Sequence, residues 1–150
     1  LHPEAMFLCS CINEDNTEGD IADMGERLAN EVQTYISENC PGSSMGRISF
    51  IGHSLGGLII RASLVHLEEF SEKMYTYISL STPHLGYMYT SSKIIEAGMW
   101  ILKRWRKSHC LTQLSMSDSK NIEETFLYKL SQSKVNLFII RSLIIKKGGF

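Results

Sequence analysis

The sequence predicts an α/β domain: a central, mostly parallel sheet with helices on both faces, incomplete at both ends. Three observations carry that expectation. Short apolar runs at 5–9, 48–51, 74–80 and 135–140, the last three with β-branched residues, alternate with runs at helical spacing, the pattern of parallel strands joined by helical crossovers. A serine between glycines, Gly52-His53-Ser54-Leu55-Gly56-Gly57, stands where one of these strands meets a helix. The chain has 150 residues, 43% of them hydrophobic, which suits one globular domain or part of one.

The first run, 5–9, reads as a short buried strand, followed by a polar, acidic loop over 12–19. Asp20 is placed to cap a helix, with Asp23 in its first turn. Ile21, Met24, Leu28, Val32 and Ile36 then share one helical face. The helix should end near Asn39, because Pro41, Gly42, Ser43 and Ser44 make a loop. Residues 48–67 read as strand, turn and helix, 68–73 as a charged loop, and 74–80 as the next strand. A capped helix is expected over 121–130 and a further strand over 135–140. Right-handed crossovers would put the Ser54 turn at the C-terminal edge of the sheet, where open α/β sheets build their sites.

The residue types around Ser54 have a chemical logic. A serine at the apex of a strand-to-helix turn is held at strained backbone angles. Gly52 and Gly56 are expected to remove Cβ atoms that would clash across that turn. A helix starting at Leu55 turns its free N–H groups and positive dipole end toward the hydroxyl. The Leu55 N–H could then supply one donor of an oxyanion hole. An inert serine in a glycine-rich turn is the plainer alternative.

The stretch from Gly52 to Arg61, with Leu80-Ser81-Thr82-Pro83-His84-Leu85-Gly86 downstream, resembles the lipase-like α/β-hydrolases, closest to a eukaryotic serine esterase family. The likeness extends over about Leu8 to Ser133, including 100–114 and 125–131. It implies the α/β-hydrolase fold, a Ser54 nucleophile, an acyl-enzyme, and an ester or lipid-like substrate; no cofactor and no metal site is expected in this chain. In that family the loop with His84 borders the site, so His53 and His84 are candidate substrate-binding residues. His84 as catalytic base competes with a loop histidine bonded to backbone, and His53 as a contact competes with support of the turn. His66 and His2 carry no functional context.

The resemblance also implies an acid and a histidine later in the chain. No Asp or Glu follows Glu124 and no His follows His109. Glu96 and His109 satisfy the order, but both fall in a stretch, 87–114, that reads as a lid-like helical insertion. Two explanations stand: a piece of a longer hydrolase, or a short product that keeps the fold for binding without catalysis. In the insertion, Trp100, Lys103, Arg104 and Trp105 fit an amphipathic helix touching a membrane surface, or basic residues that merely suit a helix C-terminus.

Charge and cysteine usage narrow the remaining classes. A net charge of −1 does not favour nucleic acid. Cys9, Cys11, Cys40 and Cys110 form no CxxC pair and read as buried free thiols in a reducing compartment. No signal-peptide pattern opens the chain, and the apolar run 137–145 is broken by Arg141 and Ser142. The expected location is cytoplasmic, with membrane association through the basic aromatic helix.

Overall fold

A computed structural model of the chain describes residues 5–42, 44–86, 108–133 and 140–143, the last as backbone. Helix α1 spans Ile21–Asn39. Asp20 is extended at its N-terminus and accepts from the Ala22 N–H through Oδ1 at 2.7 Å, which satisfies one of the donors a helix start leaves open. Ile21, Met24, Leu28 and Val32 are buried along one face, as their spacing requires, with Ala29 beside them. The Ile21 N–H is taken by Gln113 Oε1 at 2.8 Å, and Gln113 Nε2 donates to Asp20 Oδ2 at 2.9 Å.

Strand β1 (Ile48–His53) leads through Ser54 into helix α2 (Leu55–Ser63). Two 3-10 segments, Leu64–His66 and Glu68–Lys73, carry the chain to strand β2 (Met74–Leu80). The charged loop expected over 68–73 is thus a helical turn. Helix α3 (His109–Leu114) and helix α4 (Phe126–Gln132) follow, and strand β3 (Ile140–Leu143) closes the described sheet. The helix expected over 121–130 is split: a 3-10 turn at Ile122–Glu124, capped by Asn121 Oδ1 on the Glu123 N–H, precedes α4.

All strand pairs are parallel, in the order β1-β2-β3. β2 therefore lies between its neighbours, with Gly52 opposite Ser79 and Ser79 opposite Ser142. The pairing of β3 includes Arg141 to Leu143, which the sequence pattern places after the strand; residues 135–139 lie outside the described set. α1 packs on α2, and Met24, Leu58 and Leu67 are fully buried in the core they share. Side chains of this size each contribute about 1.5–3 kcal/mol when removed from water. Leu114 of α3 and Leu127 and Leu130 of α4 join the same cluster.

One expectation of the sequence is corrected. Residues 5–9 form no strand: Met6 is 52% and Phe7 77% exposed. The run lies along α1 instead, with Tyr35 Oη donating to the Phe7 carbonyl at 3.3 Å and Ser10 Oγ to Glu31. A strand must place its N–H and C=O groups in a ladder, and among the described residues no strand lies beside β1 on the side away from β2. Of the helices expected on both faces of the sheet, the described residues hold those on one. α2 covers the face carrying Gly52, Tyr77 and Ser79, while Ser49, Ile51 and His53 on the other stand exposed. The expected lid, with Glu96, Trp100, Lys103, Arg104 and Trp105, lies outside the described residues apart from its last part, which is α3.

Candidate active site

Ser54 occupies the junction of β1 and α2 at φ 52°, ψ −126°. Side chains with a Cβ rarely adopt positive φ, and the conformation costs about 1–3 kcal/mol unless the surroundings impose it. Here they do. The Ser54 N–H donates to the Leu80 carbonyl at 2.8 Å, extending the sheet by one residue, and the Ser54 carbonyl accepts from the Gly57 N–H at 3.2 Å. A serine preceding a helix ordinarily spends its hydroxyl on an amide of the first turn. Ser54 makes no such bond. Its half-buried hydroxyl is left for other chemistry, and the first-turn amides of Leu55 and Gly56 have no intrahelical acceptor.

The glycines around it act differently from the simple pattern. A Cβ on Gly52 would come within 2.7 Å of the Gly57 backbone, so strand and helix meet there only because Gly52 has none. A Cβ on Gly56 would meet nothing within 4 Å, which corrects its expected role: its position points into open space. The close approach belongs to Gly57, where a Cβ would collide with Thr82 Oγ1 and stand 2.7 Å from Thr82 Cγ2. The second glycine of the pair thus lets the loop after β2 close on the first turn of α2.

A cluster of polar side chains sits under that contact. Tyr77 Oη donates to the Gly57 carbonyl at 2.6 Å. Ser79 Oγ and His84 Nε2 are hydrogen-bonded at 2.7 Å, and the rings of Tyr77 and His84 meet edge to face at 6.3 Å. Arg61 Nη2 donates to the Leu130 carbonyl at 3.3 Å. Burial pushes the Tyr77 phenol up to about 12, against weaker opposing effects of Ser79 and Arg61. Burial and the Arg61 charge hold the His84 imidazole below its ordinary value. Burial likewise lowers Arg61, with Tyr77 acting against it. Among the described residues, Thr82 Oγ1 and His84 Nδ1 are buried without a hydrogen-bond partner.

The candidate residues are therefore distributed as follows. Ser54 and the Leu55 amide share one turn. His53 is exposed at the end of β1. His84 is bonded to a side chain, Ser79, rather than to backbone as expected, because β2 presents that hydroxyl to the loop it leads into. His66 and His109 are exposed, and among the described residues no histidine is hydrogen-bonded to Ser54. Sequence reasoning missed Tyr77, Ser79 and Thr82, although the two-residue spacing of Tyr77 and Ser79 on a strand puts both on one face. Of the cysteines, Cys9 and Cys11 are exposed rather than buried, because the segment holding them does not enter the sheet; Cys40 is half-buried and Cys110 buried, its thiol pushed up to about 11 by burial, with Asp20 adding to the shift. Among the described residues no group of three His, Cys, Asp or Glu could hold a metal, and no helix is long and apolar enough to cross a membrane.

With the serine-bearing turn defined, comparison with known proteins is decisive for the family. Residues 2–147 match the family described as "Putative serine esterase (DUF676)". The chain belongs to that family. Among curated relatives, this serine esterase family member is 30% identical over 131 residues to "Putative lipase YDL109C" of Saccharomyces cerevisiae, covering 82% of this chain and 19% of the yeast protein. It is 36% identical over 80 residues to "Putative lipase ROG1" of the same yeast, covering 49% of this chain and 11% of that protein. The chain thus spans about a fifth or less of the length of these relatives. No solved structure matches it significantly.

Proposed function

We propose that this chain carries the nucleophile and one oxyanion donor of a serine ester hydrolase with the α/β-hydrolase fold, acting on ester or lipid-like substrates. One observation carries the reading: Ser54 is held at φ 52°, ψ −126° between the last sheet hydrogen bond and the first residue of α2, with its hydroxyl free of capping. Family membership and the relatives' description as lipases support it. In the reaction, Ser54 Oγ adds to the ester carbonyl carbon as a base removes its proton. The carbonyl oxygen takes up negative charge opposite the Leu55 N–H. Collapse expels the alcohol, which receives the proton, and water then releases the acid from the acyl-enzyme. His53, at the rim of the turn, and His84, in the neighbouring loop, are proposed to border the substrate. The base is not assigned to a residue.

Residues 87–107 belong to the same proposal as a lid, with Trp100, Lys103, Arg104 and Trp105 contacting a membrane surface from the cytoplasmic side. A second reading, a fold kept for binding without catalysis, is favoured by the engagement of His84 with Ser79. Fluorophosphonate labelling separates the two. The hydrolase reading expects labelling of the wild-type chain that is lost in Ser54→Ala. Absence of labelling in a chain with cooperative unfolding would overturn it for this chain and favour the binding reading.

A further inference from the structure

The turn over residues 54–57 meets β2 at both of its ends. At its start the Ser54 N–H donates to the Leu80 carbonyl at 2.8 Å. At its end the Gly57 carbonyl accepts from Tyr77 Oη at 2.6 Å. The amides of Leu55 and Gly56 lie between these two points. The first bond joins backbone to backbone and needs no particular side chain. The second exists only because residue 77 carries a hydroxyl.

Two features make that second bond more than the satisfaction of a buried phenol. Gly57 is the third residue of α2, and a carbonyl at that place in a helix ordinarily accepts from the amide four residues on. The Tyr77 bond is therefore an addition to the helix rather than a repair of it. The other neighbours of Gly57, meanwhile, mainly set how near the turn can come. A Cβ on Gly57 would stand 2.7 Å from Thr82 Cγ2, and a Cβ on Gly52 would stand 2.7 Å from the Gly57 N and Cα atoms. Such contacts stop the first turn from moving closer to the strands, but individual van der Waals contacts attract only weakly. Tyr77 supplies a directional attraction. Its side chain is 3% exposed and its ring meets His84 edge to face, so the hydroxyl is delivered from a packed position.

We propose that Tyr77 is a positioning residue for the Ser54 site: its hydroxyl pins the Gly57 carbonyl to β2 and, with the Ser54–Leu80 bond, fixes the turn that presents the Leu55 amide. A turn tethered at one end can swing about that end; tethered at both, it holds its amides in one place. A donor stabilises a developing oxyanion best when it is already in position. The effect on acylation rests on the hydrolase reading, but the pin itself does not.

Fluorophosphonate labelling at increasing probe concentration separates the maximal rate from the half-saturating concentration. Tyr77→Phe keeps the ring and removes the hydroxyl. Its maximal rate should fall about tenfold, the factor that one hydrogen bond of ordinary net strength represents, with the half-saturating concentration unchanged. p-Aminophenylalanine at position 77 returns a donor on the same ring and should recover most of the loss. Tyr75→Phe, at an exposed position of the same strand, should stay within about twofold of the wild type. In NMR spectra the Leu55 and Gly56 amide resonances should move in Tyr77→Phe and return with the amino ring. A folded Tyr77→Phe chain that keeps those resonances in place, or a deficit that the amino ring does not recover, would overturn the proposal. If Tyr77→Phe does not fold, the other two chains decide. Cross-relaxation between the Tyr77 hydroxyl proton and Gly57 in the wild type, with a near wild-type rate in the amino variant, supports the pin; loss of either overturns it. If the wild type takes no label, the hydrolase reading fails for this chain, and the amide resonances and the hydroxyl cross-relaxation alone decide the pin.

Discussion

Two neighbouring strands of this sheet end in a serine with positive φ, and they lead to opposite outcomes. After β1, Ser54 at φ 52° passes directly into α2. After β2, Ser81 at φ 51° passes into a tight turn in which the His84 N–H donates to the Thr82 carbonyl at 3.0 Å and the Gly86 N–H to the Pro83 carbonyl at 2.9 Å. The following residues explain the difference. Leu55-Gly56-Gly57-Leu58 can wind at once, whereas Pro83 disfavours helical angles at Thr82. A strained serine at a strand end is thus not by itself a candidate nucleophile. What distinguishes Ser54 is the helix that begins at the next residue with its amides unspent.

Replacing each serine by glycine, which accepts positive φ without strain, separates the hydroxyl from the backbone conformation. Ser54→Gly should lower fluorophosphonate labelling by at least ~10³-fold, while Ser81→Gly leaves the labelling rate within about twofold, since its hydroxyl takes no part in the site. Equal losses from both would mean that the strained conformation, rather than the hydroxyl at the helix start, is what matters. Next in size is the glycine pair. Gly57→Ala drives a methyl into Thr82 and should destabilise the chain by about 3 kcal/mol in urea unfolding. Gly56→Ala meets open space and should be neutral or stabilising by up to ~1 kcal/mol.

The link between the two strand ends should also show in alkaline unfolding. Tyr77 is held protonated by burial, its pKa raised from 10.0 to about 12. The unfolded chain releases this proton first, so the contribution of Tyr77 to stability is full below pH 10.0 and is lost as pH rises through about 12. Urea midpoints measured across that window should fall in the wild type and fall less steeply in Tyr77→Phe. The smallest expected effect is the stability gain of Ser81→Gly, about 0.5 kcal/mol: relief of strain, offset by the greater freedom of glycine in the unfolded chain.

Much of this arrangement was legible in the residues. α1 announces both its ends, by Asp20 before an amphipathic run and by Pro41-Gly42 after it, because capping and periodicity are local properties. The strand, serine and helix of the central turn are equally local. The segment 5–9 departs from its strand pattern because its apolar residues specify burial but not a partner, and a strand exists only with a neighbouring edge. The close approach expected at Gly56 falls instead at Gly57, because the clash that matters comes from Thr82, twenty-five residues from Gly57 by number, whose approach no short pattern contains. The polar cluster was missed for the same reason: Tyr77 and Ser79 look like ordinary strand residues until His84 folds back onto them.

The bond from the Ile21 amide to Gln113 has a bearing on how the chain comes into being. The partners are separated by 92 residues, so the start of the first long helix is finished by a side chain synthesised much later. On a ribosome that emits about 5–20 residues per second, α1 would wait several seconds with its leading amide open to water. During that interval the helix is held only by its Asp20 cap and by whatever it can bury against α2. The beginning of the helix and the arrival of α3 are therefore one event in assembly, and a chain interrupted before residue 113 would leave the ribosome with its first helix unfinished.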